Sequence, residues 1–213
     1  EVGGDFYDFF LIDSDHLALV IADVSGKGIP AALFMMVSKT MIKNQLMSGC
    51  DPSTALERVN AQLSERNSSM MFVTVWLGVL ELSTGKIVAS NAGHEYPVIG
   101  RIGGDFELIK DRHGFVIGGM DDVKYKDYEL QLQPGAKVFV YTDGVPEATA
   151  KDGEMFGVER TEEVLSKMSD ATPKEILDGV QKAVDNFVKD AEQFDDLTML
   201  CVEYKGRHTA AET

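Results

Sequence analysis

The sequence predicts an α+β layered domain in which antiparallel sheets are covered by helices. Three observations carry this reading. Strand-like runs come mostly as hairpins joined by short turns. Helical stretches come in pairs, one early and one late. The order is two strands, two helices, many strands, two helices, one strand, without the regular alternation of a doubly wound parallel sheet. The 213 residues suffice for one large domain or two small ones, and no repeat or linker divides them. The expected domain covers residues 1–205, and 206–213 (GRHTAAET) read as a frayed tail.

Residues 6–12 and 17–23 are apolar runs separated by Asp13, Ser14 and Asp15, which reads as an antiparallel hairpin. After SGKGIP, Pro30 suits a first helical turn and Gly49 stops the helix, giving 30–47. Leu33, Met36, Val37, Met41 and Met47 are expected to form its apolar stripe, with the methionines as core filler. Asp51 is expected to cap a second helix starting at Pro52, with Leu56, Val59 and Leu63 on one face. Residues 71–82 (MFVTVWLGVLEL) are rich in β-branched and aromatic side chains and turn through Ser83, Thr84 and Gly85 into KIVASN, a second hairpin.

From NAGHEYPVIGRI through FELIK to HGFVIGGM the chain reads as short strands and loops. Tyr128, Leu130 and Leu132 alternate with polar neighbours, the pattern of a half-exposed strand. After Pro134-Gly135, KVFVYTDG is a buried strand ending on Asp143. One helix covers about 158–168. The next opens with Thr172-Pro173-Lys174-Glu175, a capping box, and buries Ile176, Leu177, Val180, Val184, Phe187 and Val188. DLTMLCVEY is the last strand.

Hydrophobic content of 44% and charged content of 26% are those of a globular protein. The net charge of −15 argues against a nucleic-acid or anionic-membrane partner, since phosphate backbones need a basic surface. No apolar run approaches the roughly 18 residues of a membrane span, and no signal peptide is visible. Cys50 and Cys201 lack zinc spacing and read as free thiols in a reducing cytoplasm. The chain opens on Glu1 and enters a strand-like run at once, so it reads as a piece from which an upstream segment has been removed.

The chemistry lies in aspartates placed at strand ends. Asp5 and Asp8 sit in VGGDFYD, Asp23 in IADVSGKG, Asp143 in YTDG, and Asp195 with Asp196 in FDDLT. Asp is common in turns, so one such cluster means little. Several, from the start, middle and end of the chain, are a way to gather oxygen ligands for hard divalent cations. Asp5 faces Asp23 across the expected hairpin, and the Val24 carbonyl lies free at the strand end. If Asp143 and Asp195 converge there, two ions about 3.5–4 Å apart would hold and ionise a shared water and steady a departing oxygen. Bound cations would also let an acidic chain accept phosphate.

Other catalytic plans are weaker. Ser25 has no nucleophile elbow, and SGKG lacks the rest of a phosphate loop. The Gly-rich turn reads equally as a tight strand-to-helix connection or an anion cradle. Lys27 reads as a solvated lysine or a contact for a substrate phosphate. His16, His94, His113 and His208 are scattered, and only His94, in NAGH, has a suggestive setting.

VGGDFYD, ADVSGKGIPAAL, FVTVWLGVLEL, NAGHEYP, YTDGVPEA and FDDLT, in that order, resemble the SpoIIE-type branch of the PPM family, the protein phosphatase 2C-like metal-dependent serine/threonine phosphatases of bacteria. The resemblance runs from Val2 to Tyr204. It implies a four-layer α/β/β/α sandwich of two antiparallel sheets. It places metal ligands at Asp5, Asp23 with the Val24 carbonyl, Asp143 and Asp195, with Asp196 beside them as ligand or support, and two ions of Mn2+ or Mg2+. Glu95-Tyr96-Pro97 departs from the Asn-Pro-Pro that often follows NAGH in this branch. The arginine that holds the phosphate in eukaryotic relatives would precede Glu1.

The resemblance further implies hydrolysis of phosphoserine or phosphothreonine on a STAS-domain anti-anti-sigma protein, in bacterial signalling. It implies control by an upstream sensor, receiver or coiled-coil segment, with the early helix pair as switch, and leaves room for a homodimer. A cytoplasmic location follows, with a membrane tether only through residues before Glu1. Two other readings stand beside it: a docking module that keeps the fold without catalysis, and a small-molecule phosphomonoesterase.

Overall fold

The computed structural model describes residues 3–65, 67–189, 191 and 195–206. The expected tail therefore lies, but for Gly206, outside the described residues, as does His208.

The first hairpin forms from β1 (Phe6–Leu11) and β2 (His16–Val24), paired antiparallel with Phe6 opposite Ala22. Then come α1 (Ile29–Met47), α2 (Pro52–Ser64) and the second hairpin, β3 (Val73–Glu81) with β4 (Lys86–Ala92). Short strands β5 (Val98–Gly100), β6 (Phe106–Leu108) and β7 (Tyr128–Gln131) lead to β8 (Lys137–Tyr141). The helices α3 (Gly157–Ser166) and α4 (Pro173–Val188) and the strand β9 (Met199–Glu203) complete the order. The expected final strand is shorter than DLTMLCVEY, because Asp196, Leu197 and Thr198 remain in the preceding loop.

Five strands form one antiparallel sheet in the order β1-β2-β3-β4-β7, and four form another, β6-β5-β8-β9. Period-2 alternation explains how the sheets stack. On β2, Ala18, Val20 and Ala22 enter a core shared with α1 and α2, while Leu19 and Ile21 enter the core between the sheets. On β8, Val138 and Val140 join that central core, while Phe139 and Tyr141 pack under α3 and α4. Both faces of the central strands are buried, so they read as continuous apolar runs. The result is the four-layer α/β/β/α sandwich, as expected.

The expected stripe on α1 is corrected. Leu33, Met36, Val37 and Met47 are exposed. The buried face is Ala31, Ser38, Ile42 and Leu46, with Phe34, Met35 and Met41 packed beside it. Apolar residues surround most of this helix, so periodicity does not select a face, and packing against the sheet and α2 does. The cap on α2 is also different. Asp51 occupies the N-cap position without a side-chain bond. Asp127 supplies the acceptor instead, taking hydrogen bonds from the Ser53 N–H (2.8 Å) and Oγ–H (2.7 Å).

The capping box of α4 forms as the sequence indicates. Glu175 N–H donates to Thr172 Oγ1 at 3.3 Å, and Thr172 N–H to Glu175 Oε2 at 2.8 Å. Thr172→Ala is therefore expected to lower stability by about 1 kcal/mol in urea unfolding, with the slope of the transition unchanged.

Candidate functional site

Asp5 immediately precedes β1, and Asp23 is the penultimate residue of β2, opposite Thr74 on β3. Asp143 lies two residues beyond β8, and Asp195 and Asp196 lie in the loop before β9. These strand ends meet at one end of the sandwich, so residues from both sheets and both ends of the chain come together. A residue the sequence reading missed joins them. Buried Thr142 donates its hydroxyl hydrogen to Asp5 Oδ2 (2.7 Å) and accepts one from the Thr198 N–H (3.2 Å). Its own N–H donates to the Thr198 carbonyl (3.0 Å). The available signal was a small polar residue ending the apolar run KVFVY.

The carboxyls are crowded. Burial, then a hydrogen bond shared with Asp5 and the charges of Asp5, Asp143 and Asp195, pushes Asp23 up to about 8. Burial also raises Asp5, partly offset by hydrogen bonds from Asp23, Thr142 and Thr198, with the Asp196 charge adding to the rise. Asp143 is raised by burial and by Asp195, and is partly relieved by Lys27. Two carboxylates not singled out beforehand join the group. Glu95 is raised by burial and by Asp143 and Glu147; Glu147 is raised by burial and by Asp143 and Asp195.

The backbone is equally close. A Cβ on Gly4 would stand 2.8 Å from the Val24 carbonyl oxygen, and one on Gly144 would stand 1.9 Å from that of Asp196. Only glycine leaves this space among the oxygens. Among the described residues no group of three His, Cys, Asp or Glu is spaced to hold an ion as it stands. The fit to a hard divalent cation lies in the donor chemistry: carboxylate and carbonyl oxygens only, a glycine-lined cradle, and mutual repulsion that a cation would relieve.

The remaining candidates separate clearly. Asp8 Oδ1 accepts from the Phe9 N–H (2.9 Å) and takes no part in the cluster's hydrogen bonds. Ser25 Oγ accepts from the Phe72 N–H (2.9 Å), a structural clamp and not a nucleophile. His16 faces Asp13 (2.9 Å), and His113 faces Asp111 (3.4 Å) and stacks on Tyr96. His94 is buried between the sheets. Its Nδ1 lies 2.8 Å from Thr74 Oγ1, and its backbone N–H donates to Asn91 Oδ1 (2.8 Å). Nε2 faces the Tyr141 backbone without a bond of normal geometry, and burial holds the ring neutral, down to about 3.

The family model for Stage II sporulation protein E (SpoIIE) matches residues 13–205. The chain is 32% identical over 232 residues to Protein IcfG of a Synechocystis species, a match covering 95% of this chain and 36% of that protein. It is 27% identical over 208 residues to phosphoserine phosphatase RsbU of Bacillus subtilis, covering 96% and 60%. The chain thus spans 36% to 60% of the length of these two relatives. The SiaA-PP2C domain of Pseudomonas aeruginosa superposes with a TM-score of 0.84 at 22% identity, over 95% of this chain and 81% of that one. The fold is therefore that of the protein phosphatase 2C-like enzymes.

Two outcomes follow from the electrostatics. With chelator present, Asp23→Asn is expected to raise the melting temperature by about 2–4 °C in calorimetry, because it removes about 1 kcal/mol of the cost of holding a buried carboxyl protonated beside Asp5 and the charges of Asp143 and Asp195. For His94, the unfolded chain takes up a proton below its ordinary 6.5 and the folded chain only below about 3, so stability falls as pH drops through that window. Between pH 7 and pH 5, denaturant unfolding is expected to show a loss about 2 kcal/mol larger in the wild type than in His94→Gln.

Proposed function

The chain belongs to the SpoIIE family, and on that premise we propose that it hydrolyses phosphoserine or phosphothreonine on a regulatory protein with the help of two divalent cations. The observation that carries the reading is the convergence of Asp5, Asp23, Asp143 and Asp195 from both sheets, with Asp23 raised to about 8 by its neighbours. Carboxylates held together against their own repulsion mark a site whose other component is a cation.

Asp5, Asp23 with the Val24 carbonyl, Asp143 and Asp195 would hold the ions, Mn2+ or Mg2+, with Asp196 beside them. When bound, the ions supply Lewis acidity, which ionises water near neutral pH and offsets charge on the phosphoryl group. The chain's own part is placement. Thr142 fixes the Asp5 carboxyl through its 2.7 Å bond and ties it to the Asp143 turn. Gly4 and Gly144 keep the backbone close without side chains intruding. Glu147 N–H donates to the Asp143 carbonyl (2.8 Å), closing the turn that presents Asp143.

The substrate we favour is a phosphorylated STAS-type regulatory protein, and the controlling element a sensor, receiver or coiled-coil region elsewhere in a longer protein. The relative RsbU is a phosphoserine phosphatase, which supports the reaction class. Among the described residues no helix is long and apolar enough to cross a membrane.

Hydrolysis of p-nitrophenyl phosphate across a manganese titration is expected to rise with metal and to fall at least about a hundredfold in Asp143→Asn. A parallel assay on phosphoserine protein is expected to show the same dependence. Turnover that ignores metal, or survives in the variant, counts against the site. Absence of turnover in both proteins at millimolar manganese would favour a docking module.

A further inference from the structure

We propose that Met70, Phe72, Phe115 and Met120 form an apolar shelf beside the carboxylate cluster, and that it receives the apolar side chains flanking the phosphoserine of a protein substrate. This rests on the phosphatase reading above and deepens it by naming a surface that selects the substrate.

Two segments make the shelf: residues 70–73, which lead into β3, and residues 115–120, which follow β6. An antiparallel bridge joins Val73 to Ile117, with N–H to carbonyl bonds of 2.9 Å in both directions. Two asparagines knit the segments together. Asn67 Nδ2–H donates to the Gly118 carbonyl (2.8 Å) and to that of Met71, and its Oδ1 accepts from the Met71 N–H (3.1 Å). Buried Asn60, on α2, accepts from the Gly118 N–H (2.8 Å) and donates to the Met120 carbonyl (2.9 Å). A Cβ on Gly119 would stand 3.0 Å from the Phe115 ring and 3.7 Å from the Phe72 Cβ, so both side chains border one glycine. The backbone is thus fixed, yet the apolar groups it carries face water. Met70 is 83% exposed, Met120 58%, Phe115 52% and Phe72 39%. Met70 also holds a φ of 51°, a conformation that costs energy for any residue but glycine.

The shelf begins where the cluster ends. Ser25 N–H donates to the Phe72 carbonyl, and Ser25 Oγ accepts from the Phe72 N–H, each at 2.9 Å. Ser25 directly follows Val24, two residues after Asp23. Asp23 pairs with Thr74, and strand alternation puts Phe72 on the same side of the sheet as both. One exposed apolar side chain is ordinary, but several on a rigid frame beside a reactive site mark a contact surface.

Place and charge identify the occupant. A phosphoserine that reaches the cluster must lay its neighbours on the rim. Glu95, Asp143, Glu147 and Asp195 make part of that rim acidic, which repels a phosphorylated segment. The shelf offers such a segment apolar burial instead, on a preformed frame that costs little to order. Asp121 and Asp122, exposed just beyond Met120, disfavour an acidic flank there. A second copy fits less well, because it would bring another −15 charges to the same face.

The test uses short synthetic peptides with phosphoserine set between leucines or between glutamines, so that both carry the same charge. At saturating Mn2+, kcat/KM is measured for wild type, Phe115→Ser and Met120→Ser. Fluorescence anisotropy follows binding of the same peptides with phosphoserine replaced by its non-hydrolysable phosphonate. Wild type is expected to favour the leucine peptide about tenfold in both readouts, and each variant to lose most of that preference. Turnover of the glutamine peptide shows that a variant is folded, and the wild-type preference is a test that needs no variant. Equal handling of the two peptides by wild type, or a preference that survives in both variants, would overturn this inference alone. A dimer in sedimentation that both variants abolish, with peptide preference unchanged, would assign the shelf to a second copy and overturn it too. A wild type that hydrolyses neither peptide nor p-nitrophenyl phosphate at millimolar Mn2+ would overturn the phosphatase reading, and this inference with it.

Discussion

The structure is organised around a repulsion. Asp5 and Asp23 share a hydrogen bond at one end of the sandwich within reach of the charges of Asp143 and Asp195, and burial and these neighbours raise Asp23 to about 8. No carboxylate would choose this company in water. The cluster persists because each member is fixed to a strand end, and the strands are fixed by apolar packing on both faces. Three hydrophobic cores, under the first helix pair, between the sheets and under the second pair, hold those ends in register. Local instability at such a site is common where function needs a charge the protein itself does not carry.

Two small polar contacts convert packing into alignment. Thr142 connects the end of β8 to Asp5 on the other sheet and to Thr198 before β9. His94, neutral and buried, lies against Thr74, the partner of Asp23 across the ladder. Neither residue carries charge into the cluster. Thr142 sits one step behind the Asp5 carboxyl and limits where it can move, the kind of support that keeps site geometry tight.

On the phosphatase reading, an acidic chain would handle an acidic substrate and would have to change its local sign. Divalent cations would do most of this, and the oxygen-only donor set suits them. The belonging to the SpoIIE family and the shape of the site are thus consistent with one chemistry, in which the fold supplies position and the ions supply charge.

What the sequence determined by itself was local. Hairpins, the α4 capping box, the paired helices and the strand-end aspartates follow from neighbours a few residues apart, where turn chemistry and side-chain period act directly. The order of motifs carried the family and the four layers. What only the tertiary structure decided depends on distant residues. The buried face of α1 was chosen by the sheet, since its apolar residues run round the helix. Asp127 reached Ser53 across 74 positions to cap α2. Thr142, Glu95 and Glu147 became part of the site only once the two halves of the chain met. Charge and hydrogen bonding act through space over a few ångströms, and the sequence states which groups exist but not which will stand that close.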